Sequence, residues 1–217
     1  MSDQLPTARG AVWGARLSRA LVTAVWSVHV HGAEQVPAQG PVILAPNHLG
    51  FIDGPLLFGV APRPVHTLAK HEMFRGPLGW LLRAVGQIPV DRTQPDRVVL
   101  GAVLGLLEAG RVVAVYPEGT RGTGDFSELR PGLAWFALRS GAPVVPVVFL
   151  GSGARGRTLG SMPRLRARLD VVFGAPVRVE ARRRRSRAVL EAASDQLRDA
   201  LVAHHTDTHR QFGGQFT

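Results

Sequence analysis

The sequence contains no cysteine, which excludes a disulfide, a thiolate zinc site and a cysteine nucleophile at once. It also lacks a spanning run near the N-terminus, where the uncharged residues 20–28 fall far short of the roughly 20 that a transmembrane helix requires. A secretion signal is not expected either, because Asp3 precedes any apolar run and Arg16 and Arg19 interrupt the stretch that follows. A cytosolic location fits these absences.

Lysine is almost absent as well, since Lys70 is the only lysine among the 26 basic residues of the 217-residue chain. The formal charge of +10 is therefore carried by arginine. A guanidinium pairs with phosphate through two parallel hydrogen bonds, which an ammonium cannot do. The composition predicts an anionic partner and leaves three classes open: nucleic acid, a membrane surface or a phosphorylated small molecule.

Length and a hydrophobic content of 45% indicate one globular domain with a sizeable core. Short β-branched runs alternate with helix-like stretches, which predicts an α/β fold with a mixed, mostly parallel sheet flanked by helices. The last helix is expected over residues 181–205, opened by an arginine run that opposes the helix dipole. The predicted strands are residues 41–45, 65–69, 87–90, 112–116, 144–149 and 169–173.

The N-terminal segment, residues 1–30, is separated in this prediction from a catalytic domain at residues 31–217. Apolar side chains recur at helical spacing over residues 12–28, with Trp13 and Trp26 near the two ends. Tryptophans that bracket an apolar stretch containing arginines favour an amphipathic helix in a membrane interface. The alternative is an ordinary amphipathic helix that covers the domain.

A histidine and an aspartate follow the first buried strand. His48 can take a proton from a hydroxyl near neutral pH if Asp53 holds its other ring nitrogen. A spacing of five would separate the two side chains on a regular helix, so an irregular turn is required, which Gly50 permits. The alternative is a loop turn followed by a helix cap.

A second loop, Pro-Glu-Gly-Thr-Arg at residues 117–121, follows the strand at residues 112–116. Arg121 and nearby backbone amides can cradle a phosphate. Arg92 also follows a predicted strand, and the two arginines can converge on one phosphate if their strands are neighbours. Taken singly, each arginine is as easily explained as a member of a surface ion pair.

These motifs occur in a characteristic order: Asn-His-four residues-Asp, Gly-Gln-Ile-Pro-Val-Asp-Arg, Pro-Glu-Gly-Thr-Arg and Val-Pro-Val. In this order they resemble the four sequence blocks of the glycerolipid acyltransferase family, over residues 42–151. The stretch at residues 69–74 also resembles the family. One departure is Pro89, where many members carry phenylalanine.

The resemblance implies transfer of an acyl chain from acyl-coenzyme A or acyl carrier protein to a glycerolipid hydroxyl, with His48 as general base and Asp53 as its partner. It further implies that Lys70 occupies the family's lysine position. The residues that it implies for substrate binding are Asn47, Arg92, Glu118, Gly119, Thr120 and Arg121.

Direct transfer agrees with the residues themselves, because the chain has neither a cysteine nor a Gly-x-Ser-x-Gly motif to carry an acyl intermediate. The oxyanion then requires a donor, for which Lys70 and the backbone N–H groups around Gly119 are both candidates. We expect no metal, since the histidines of the C-terminal tail lie in a polar segment, and no cofactor beyond the donor itself.

We therefore predict an acyltransferase at the cytoplasmic face of the membrane that acylates a lysophospholipid, most simply 1-acylglycerol-3-phosphate. The expected partners are the acyl donor, the lysolipid and an anionic membrane surface. Alternatives are transfer to another lysolipid or amino-lipid, and a hydrolase or acyl-binding protein of the same fold. A nucleic-acid-binding module also remains, but the basic segments lack interleaved aromatic residues, so we expect no nucleic acid.

Overall fold

The computed structural model describes residues 8–91, 97–119, 123–127, 129–153, 162–180 and 186–216. Within these ranges the chain forms six α-helices and seven strands. The helices are α1 (Ala8–Val25), α2 (Asp53–Val60), α3 (Gly76–Ala84), α4 (Arg97–Glu108), α5 (Gly132–Ser140) and α6 (Arg187–Phe212). The strands are β1 (Ser27–His31), β2 (Val42–Pro46), β3 (Val65–Lys70), β4 (Ile88–Val90), β5 (Val112–Ala114), β6 (Val144–Leu150) and β7 (Arg168–Phe173).

All seven described strands form one sheet in the order β1-β7-β6-β2-β5-β3-β4. The five strands from β6 to β4 in this order pair in parallel. β7 pairs antiparallel with β6, and β1 pairs parallel with β7 at the edge of the sheet. The predicted mixed, mostly parallel sheet is confirmed. Because parallel strands end at the same edge, the loops after β2, β5 and β3 are neighbours in space.

Helices cover both faces of the sheet. Successive side chains of a strand point to opposite faces, so Ile43 and Ala45 pack with α4, α5 and α6, while Val42 and Leu44 pack with α1 and α2. Burial on both faces explains why β2 is a continuous apolar run rather than an alternating pattern.

All six predicted strands are present to within a few residues, but β1 was not predicted. Its sequence, Ser-Val-His-Val-His, is mostly exposed and continues the apolar spacing of the preceding helix. Its only strand partner in the described chain, β7, is distant in sequence. A local sequence pattern therefore cannot predict that β1 pairs with it. The boundary drawn after residue 30 consequently passes through a strand of the common sheet.

Close contact with α2 holds α1 on the domain. A Cβ atom on Gly59 would lie 2.8 Å from the backbone nitrogen of Arg19, so the two helix backbones approach where a side chain cannot fit. The Ser18 hydroxyl donates to the Pro55 carbonyl at 2.7 Å. The N-terminal helix is thus an integral layer of the fold as well as an amphipathic one.

The two faces of α1 differ as the amphipathic pattern predicts. Ala11 and Val22 are buried, and the outer face carries exposed apolar side chains. The expectation that Trp26 points outward with Trp13 is wrong, because Trp26 is only 8% exposed and its indole N–H donates to the Pro163 carbonyl. In the described part of the chain, no helix is both long and apolar enough to cross a membrane. The exposed apolar residues of α1 are Val12, Trp13, Leu17 and Leu21.

The last helix begins later and ends later than predicted. Ser186 caps α6 by accepting a hydrogen bond from the Val189 N–H, and the helix continues to Phe212 rather than ending at residue 205. Arg187, in the first turn, pairs with Glu191 at 2.8 Å. The rest of the arginine run, residues 182–185, lies outside the described residues, as do residues 155–161 of the basic segment at residues 155–168, which the sequence predicts to be a loop.

Candidate active site

The predicted histidine and aspartate meet in the turn between β2 and α2. His48 Nδ1 lies 3.0 Å from Asp53 Oδ2. The same oxygen accepts the backbone N–H groups of Leu49 at 2.7 Å and Gly50 at 2.8 Å. Asp53 is the first residue of α2 and is fully buried. The irregular turn that the spacing required is therefore present.

This geometry determines how the His48 ring can act. A carboxylate accepts only, so the Asp53 contact places the ring proton on Nδ1 and leaves the lone pair on Nε2. The His48 side chain keeps 13% of its surface exposed, and its ring lies 4.5 Å from that of Tyr116. Nε2 is the nitrogen that can accept a proton from a hydroxyl.

Two neighbours keep the turn in place. The Asn47 amide oxygen accepts from the Phe149 N–H at 2.8 Å and its NH₂ donates to the Phe149 carbonyl at 3.4 Å, which ties the end of β2 to β6. A Cβ on Gly50 would lie 2.7 Å from the Ser152 carbonyl oxygen. Gly50 is thus needed for a close backbone approach and not for a positive φ. A substrate contact from Asn47 stays a prediction.

His48 borders an apolar cavity of about 510 Å³. Lys70, at the end of β3, and Tyr116, just after β5, line the same cavity, as the strand order requires for loops at one edge of the sheet. Apolar side chains of three helices form much of the wall. They include Leu17 and Leu21 of α1, Phe58 of α2, and Leu78 and Leu81 of α3.

Glu118 lies in the second predicted loop, beside the His48 turn. Its Oε1 accepts the Phe126 N–H at 3.1 Å, while its buried Oε2 has no hydrogen-bond partner among the described residues. Burial raises the pKa of Glu118, and the nearby charges of Asp125 and Asp53 raise it further; hydrogen bonds from the backbone of Phe126 and His48 oppose the rise. The carboxyl group therefore lies near the His48 turn and is partly withdrawn from water.

Gly119 forms a tight turn in this loop. Its φ of 71° lies in the left-handed region, and its N–H donates to the Tyr116 carbonyl at 3.1 Å. A Cβ there would lie 2.3 Å from Nε of Arg130, so the guanidinium of Arg130 lies directly over the glycine. Among the predicted oxyanion donors, the Gly119 N–H is already engaged within the turn and Lys70 lines the cavity, while the N–H groups of residues 120–122 lie outside the described residues.

Three predicted substrate residues, Arg92, Thr120 and Arg121, lie outside the described residues. The strands that precede the two arginines are β4 and β5, which end at the same edge of the sheet. The condition that these two strands be neighbours is not met, because β3 lies between them.

Sequence reasoning missed Tyr116, Phe126 and Arg130. An aromatic residue at the end of a buried strand is normally part of the core, and nothing local links Phe126 or Arg130 to the glutamate loop.

Among the described residues, no group of three or more histidine, aspartate or glutamate side chains is arranged to hold a metal ion.

Comparison with known proteins agrees with this architecture. A family model described as Acyltransferase matches residues 27–150. A 1-acyl-sn-glycerol-3-phosphate acyltransferase of Bacillus subtilis is 30% identical over 152 residues, covering 69% of this chain and 73% of that protein. A lyso-ornithine lipid O-acyltransferase of Pseudomonas aeruginosa is 35% identical over 138 residues, covering 62% of this chain and 50% of its own.

One solved structure shares the fold. It is the crystal structure of the 1-acyl-sn-glycerophosphate (LPA) acyltransferase PlsC from Thermotoga maritima, with a TM-score of 0.63 and 21% sequence identity. The superposition covers 91% of this chain and 78% of that one. The mixed sheet and its flanking helices are common to both.

Proposed function

The chain belongs to the acyltransferase family, and we propose that it transfers a fatty acyl group from a thioester donor to the free hydroxyl of 1-acyl-sn-glycerol 3-phosphate, giving phosphatidic acid. The observation that carries this proposal is the contact between His48 and a buried Asp53 at the wall of an apolar cavity. The named activity of the Bacillus subtilis relative supports the choice of acceptor.

His48 acts as the general base. Its Nε2 takes the proton of the acceptor hydroxyl while that oxygen attacks the thioester carbonyl. Asp53 holds the ring and stabilises the imidazolium that forms. When the tetrahedral intermediate collapses, the carbon–sulfur bond breaks and the thiolate leaves, taking the proton back from His48. Lys70 supplies the positive charge for the oxyanion, because it lines the same cavity as His48.

The cavity accommodates the acyl chain. Its volume of about 510 Å³ and its wall of leucine and phenylalanine side chains suit an apolar chain next to the reacting carbonyl. Arg92 and Arg121, which follow strands that end at the same edge of the sheet, bind the acceptor's phosphate, and Glu118, Gly119 and Thr120 are the other proposed substrate-binding residues of this loop. The donor is acyl-coenzyme A or acyl carrier protein.

The outer face of α1 places the enzyme on the cytoplasmic surface of an anionic membrane. Leu17 and Leu21 are exposed and also line the cavity, so the face that meets lipid leads into the acyl site. Arg16 and Arg19 are exposed on the same helix, where they can pair with lipid headgroups. Trp80 of α3, 71% exposed, adds a further interfacial aromatic side chain near the cavity.

The mechanism predicts that His48→Ala abolishes transfer while the protein remains folded. General-base catalysis contributes on the order of 10²- to 10⁴-fold, so kcat should fall by at least about a hundredfold. His29→Ala is the matched control, because His29 is exposed on β1 and bonds Ser27. Rates are measured with radiolabelled acyl donor, and folding by thermal denaturation. Near-normal turnover in His48→Ala would contradict the mechanism.

A second candidate acceptor is a lysolipid without a phosphate, which the Pseudomonas aeruginosa relative favours by its name. An acceptor panel distinguishes the two. Purified protein is incubated with acyl-coenzyme A or acyl carrier protein and with lysophosphatidate, other lysophospholipids or lyso-ornithine lipid, and the product is identified by mass spectrometry. Phosphatidic acid as the main product supports the first candidate, and acylated ornithine lipid supports the second.

A further inference from the structure

A short segment, residues 123–127, lies directly over the His48 turn. A Cβ atom on Gly124 would come within 2.4 Å of a Leu49 methyl carbon and 3.2 Å of the Asn47 amide nitrogen. Gly124 also has a φ of 71°, which favours glycine. The segment is therefore in contact with the loop that carries the proposed base, although more than seventy residues separate them in sequence.

Phe126 occupies an unusual backbone conformation in this segment. Its φ of 60° is positive, which among the non-glycine residues of the described chain is shared only with Arg166. A bulky residue in this region is strained and remains there only if its surroundings hold it. The conformation directs the Phe126 N–H to Oε1 of Glu118 at 3.1 Å.

Packing of the Phe126 ring stabilises this conformation. The ring is fully buried and lies edge-to-face against the ring of His205, with a centroid distance of 6.1 Å. His205 belongs to α6 and lies 4.3 Å from His209 one turn later. Burial, and then the neighbouring His209, lower the pKa of His205, so the ring packed against Phe126 is neutral at physiological pH. Phe126 is thus anchored in the last helix of the chain.

We propose that Phe126 is a positioning residue for Glu118: its ring is anchored by α6, and its backbone N–H holds the Glu118 carboxylate against the His48 turn. This inference rests on the proposed function, in which Glu118 belongs to the acceptor loop. It assigns α6, which contributes no proposed catalytic side chain, a role in arranging the site.

The test is a double-mutant cycle on acceptor kinetics. Phe126→Ala should lower kcat/KM for the lysolipid on the order of tenfold to a hundredfold, since small misplacements in an active site are costly. In the Glu118→Gln background the same change should have less than about a twofold effect, because the carboxylate that it positions is gone. Equal losses in both backgrounds would overturn the inference.

Two further variants separate positioning from general stability. Phe136→Ala removes a buried phenyl ring from α5, and it should leave the lysolipid KM unchanged at temperatures where it is folded. Phe126→Leu retains apolar bulk and should restore part of the loss, and it replaces Phe126→Ala in the cycle if the alanine variant does not fold. A rise in lysolipid KM in Phe136→Ala equal to that in Phe126→Ala would assign the effect to stability alone.

A readout independent of activity keeps this inference distinct from the proposed function. The chain is labelled with ¹³C-glutamate, and the Glu118 signal is assigned from its loss in Glu118→Gln. Phe126→Ala should lower the Glu118 titration midpoint toward its ordinary value, because release from burial, the largest cause of the raised pKa, outweighs loss of the Phe126 N–H hydrogen bond, which by itself lowers the pKa. An unchanged midpoint overturns the inference even if no acyl transfer is found, and inactivity of the unmutated protein overturns only the proposed function.

Discussion

Glu118 shows at the scale of one residue how burial of a carboxyl group can lower stability. Its pKa is raised in the fold, chiefly by burial, so the folded state binds the proton more tightly than the unfolded state does. The ionised carboxylate therefore destabilises the fold, and this cost appears as pH rises through the ordinary range of the group. This loss of stability is the energetic cost of keeping the ionised Glu118 carboxylate partly dehydrated.

Glu118→Gln should accordingly reduce acyl transfer and leave stability at neutral pH equal to or above that of the unmodified protein. The stability gain should shrink at a pH below the ordinary carboxyl range, where the glutamate is protonated in both states. Denaturant unfolding at two pH values, together with steady-state kinetics, measures both effects. A gain of the same size at both pH values would show that ionisation of Glu118 is not its cause.

Gly119→Ala tests the shape of the same loop. A side chain at φ 71° costs on the order of 1–2 kcal/mol, and its Cβ would also displace the Arg130 guanidinium. We expect a loss of unfolding free energy of about that size and a raised KM for the lysolipid. Gly132→Ala is the matched control, because a Cβ at the start of α5 meets nothing within 4 Å. A Gly119→Ala protein with unchanged stability and KM would contradict the loop geometry.

At the scale of one element, α1 has two faces that differ in their surroundings. Its inner face, with Val22 and Trp26 at its end, belongs to the core, and its outer face is apolar and exposed. Removing residues 1–27 would take away core side chains and the start of β1, so such a deletion tests folding rather than membrane binding. Point substitutions on the outer face can test membrane binding without disturbing folding.

Leu21→Glu should weaken binding to anionic liposomes by about tenfold or more, because burying a leucine side chain stabilises the bound state by roughly 1.5–3 kcal/mol. Leu21 is 58% exposed, so the folded protein should tolerate the change. Val202→Glu on α6 introduces the same charge at another exposed apolar position and should bind normally. If both variants cosediment with liposomes as the unmodified protein does, α1 is not the membrane contact.

Over the whole molecule, Asp170 ties together segments from both ends of the chain. The fully buried carboxylate of β7 accepts from Arg168 at 2.7 and 2.9 Å and contacts His31 of β1 at 2.7 Å. The His31 ring in turn lies 4.4 Å from the ring of Phe212 on α6. Burial alone would raise the pKa of Asp170, but the hydrogen bonds from Arg168 and His31 outweigh it and lower the pKa.

A lowered carboxyl pKa means that the stabilisation is present above the ordinary pKa and is lost as pH falls through the folded-state value. Asp170→Asn should therefore cost on the order of 1.5–3 kcal/mol at neutral pH, since it removes the charge from a buried carboxylate that is hydrogen-bonded to two partly exposed partners. The difference in unfolding free energy between Asp170→Asn and the unmodified protein should become smaller at acidic pH. Asp199→Asn, at an exposed position of α6, serves as the control. Equal denaturation midpoints at neutral pH would rule out this contribution.

The sequence alone determined the strands of the central sheet and the identity of the proposed base and its partner. Each of these rests on local information. A buried parallel strand is a short β-branched run, and the five-residue interval between His48 and Asp53 lies within a single turn that few conformations can satisfy. The ordered motifs added the family, which the comparisons confirm.

The tertiary structure decided which distant segments meet. β1 was missed because its strand partner is β7, and the sequence left open whether β4 and β5 are neighbours, which the strand order answers by placing β3 between them. Trp26 is buried by contacts from a distant loop, and Phe126, which bonds Glu118, packs its ring against His205 of α6. Side-chain periodicity specifies which face of an element is apolar, whereas the choice of partner for that face depends on packing across the whole chain.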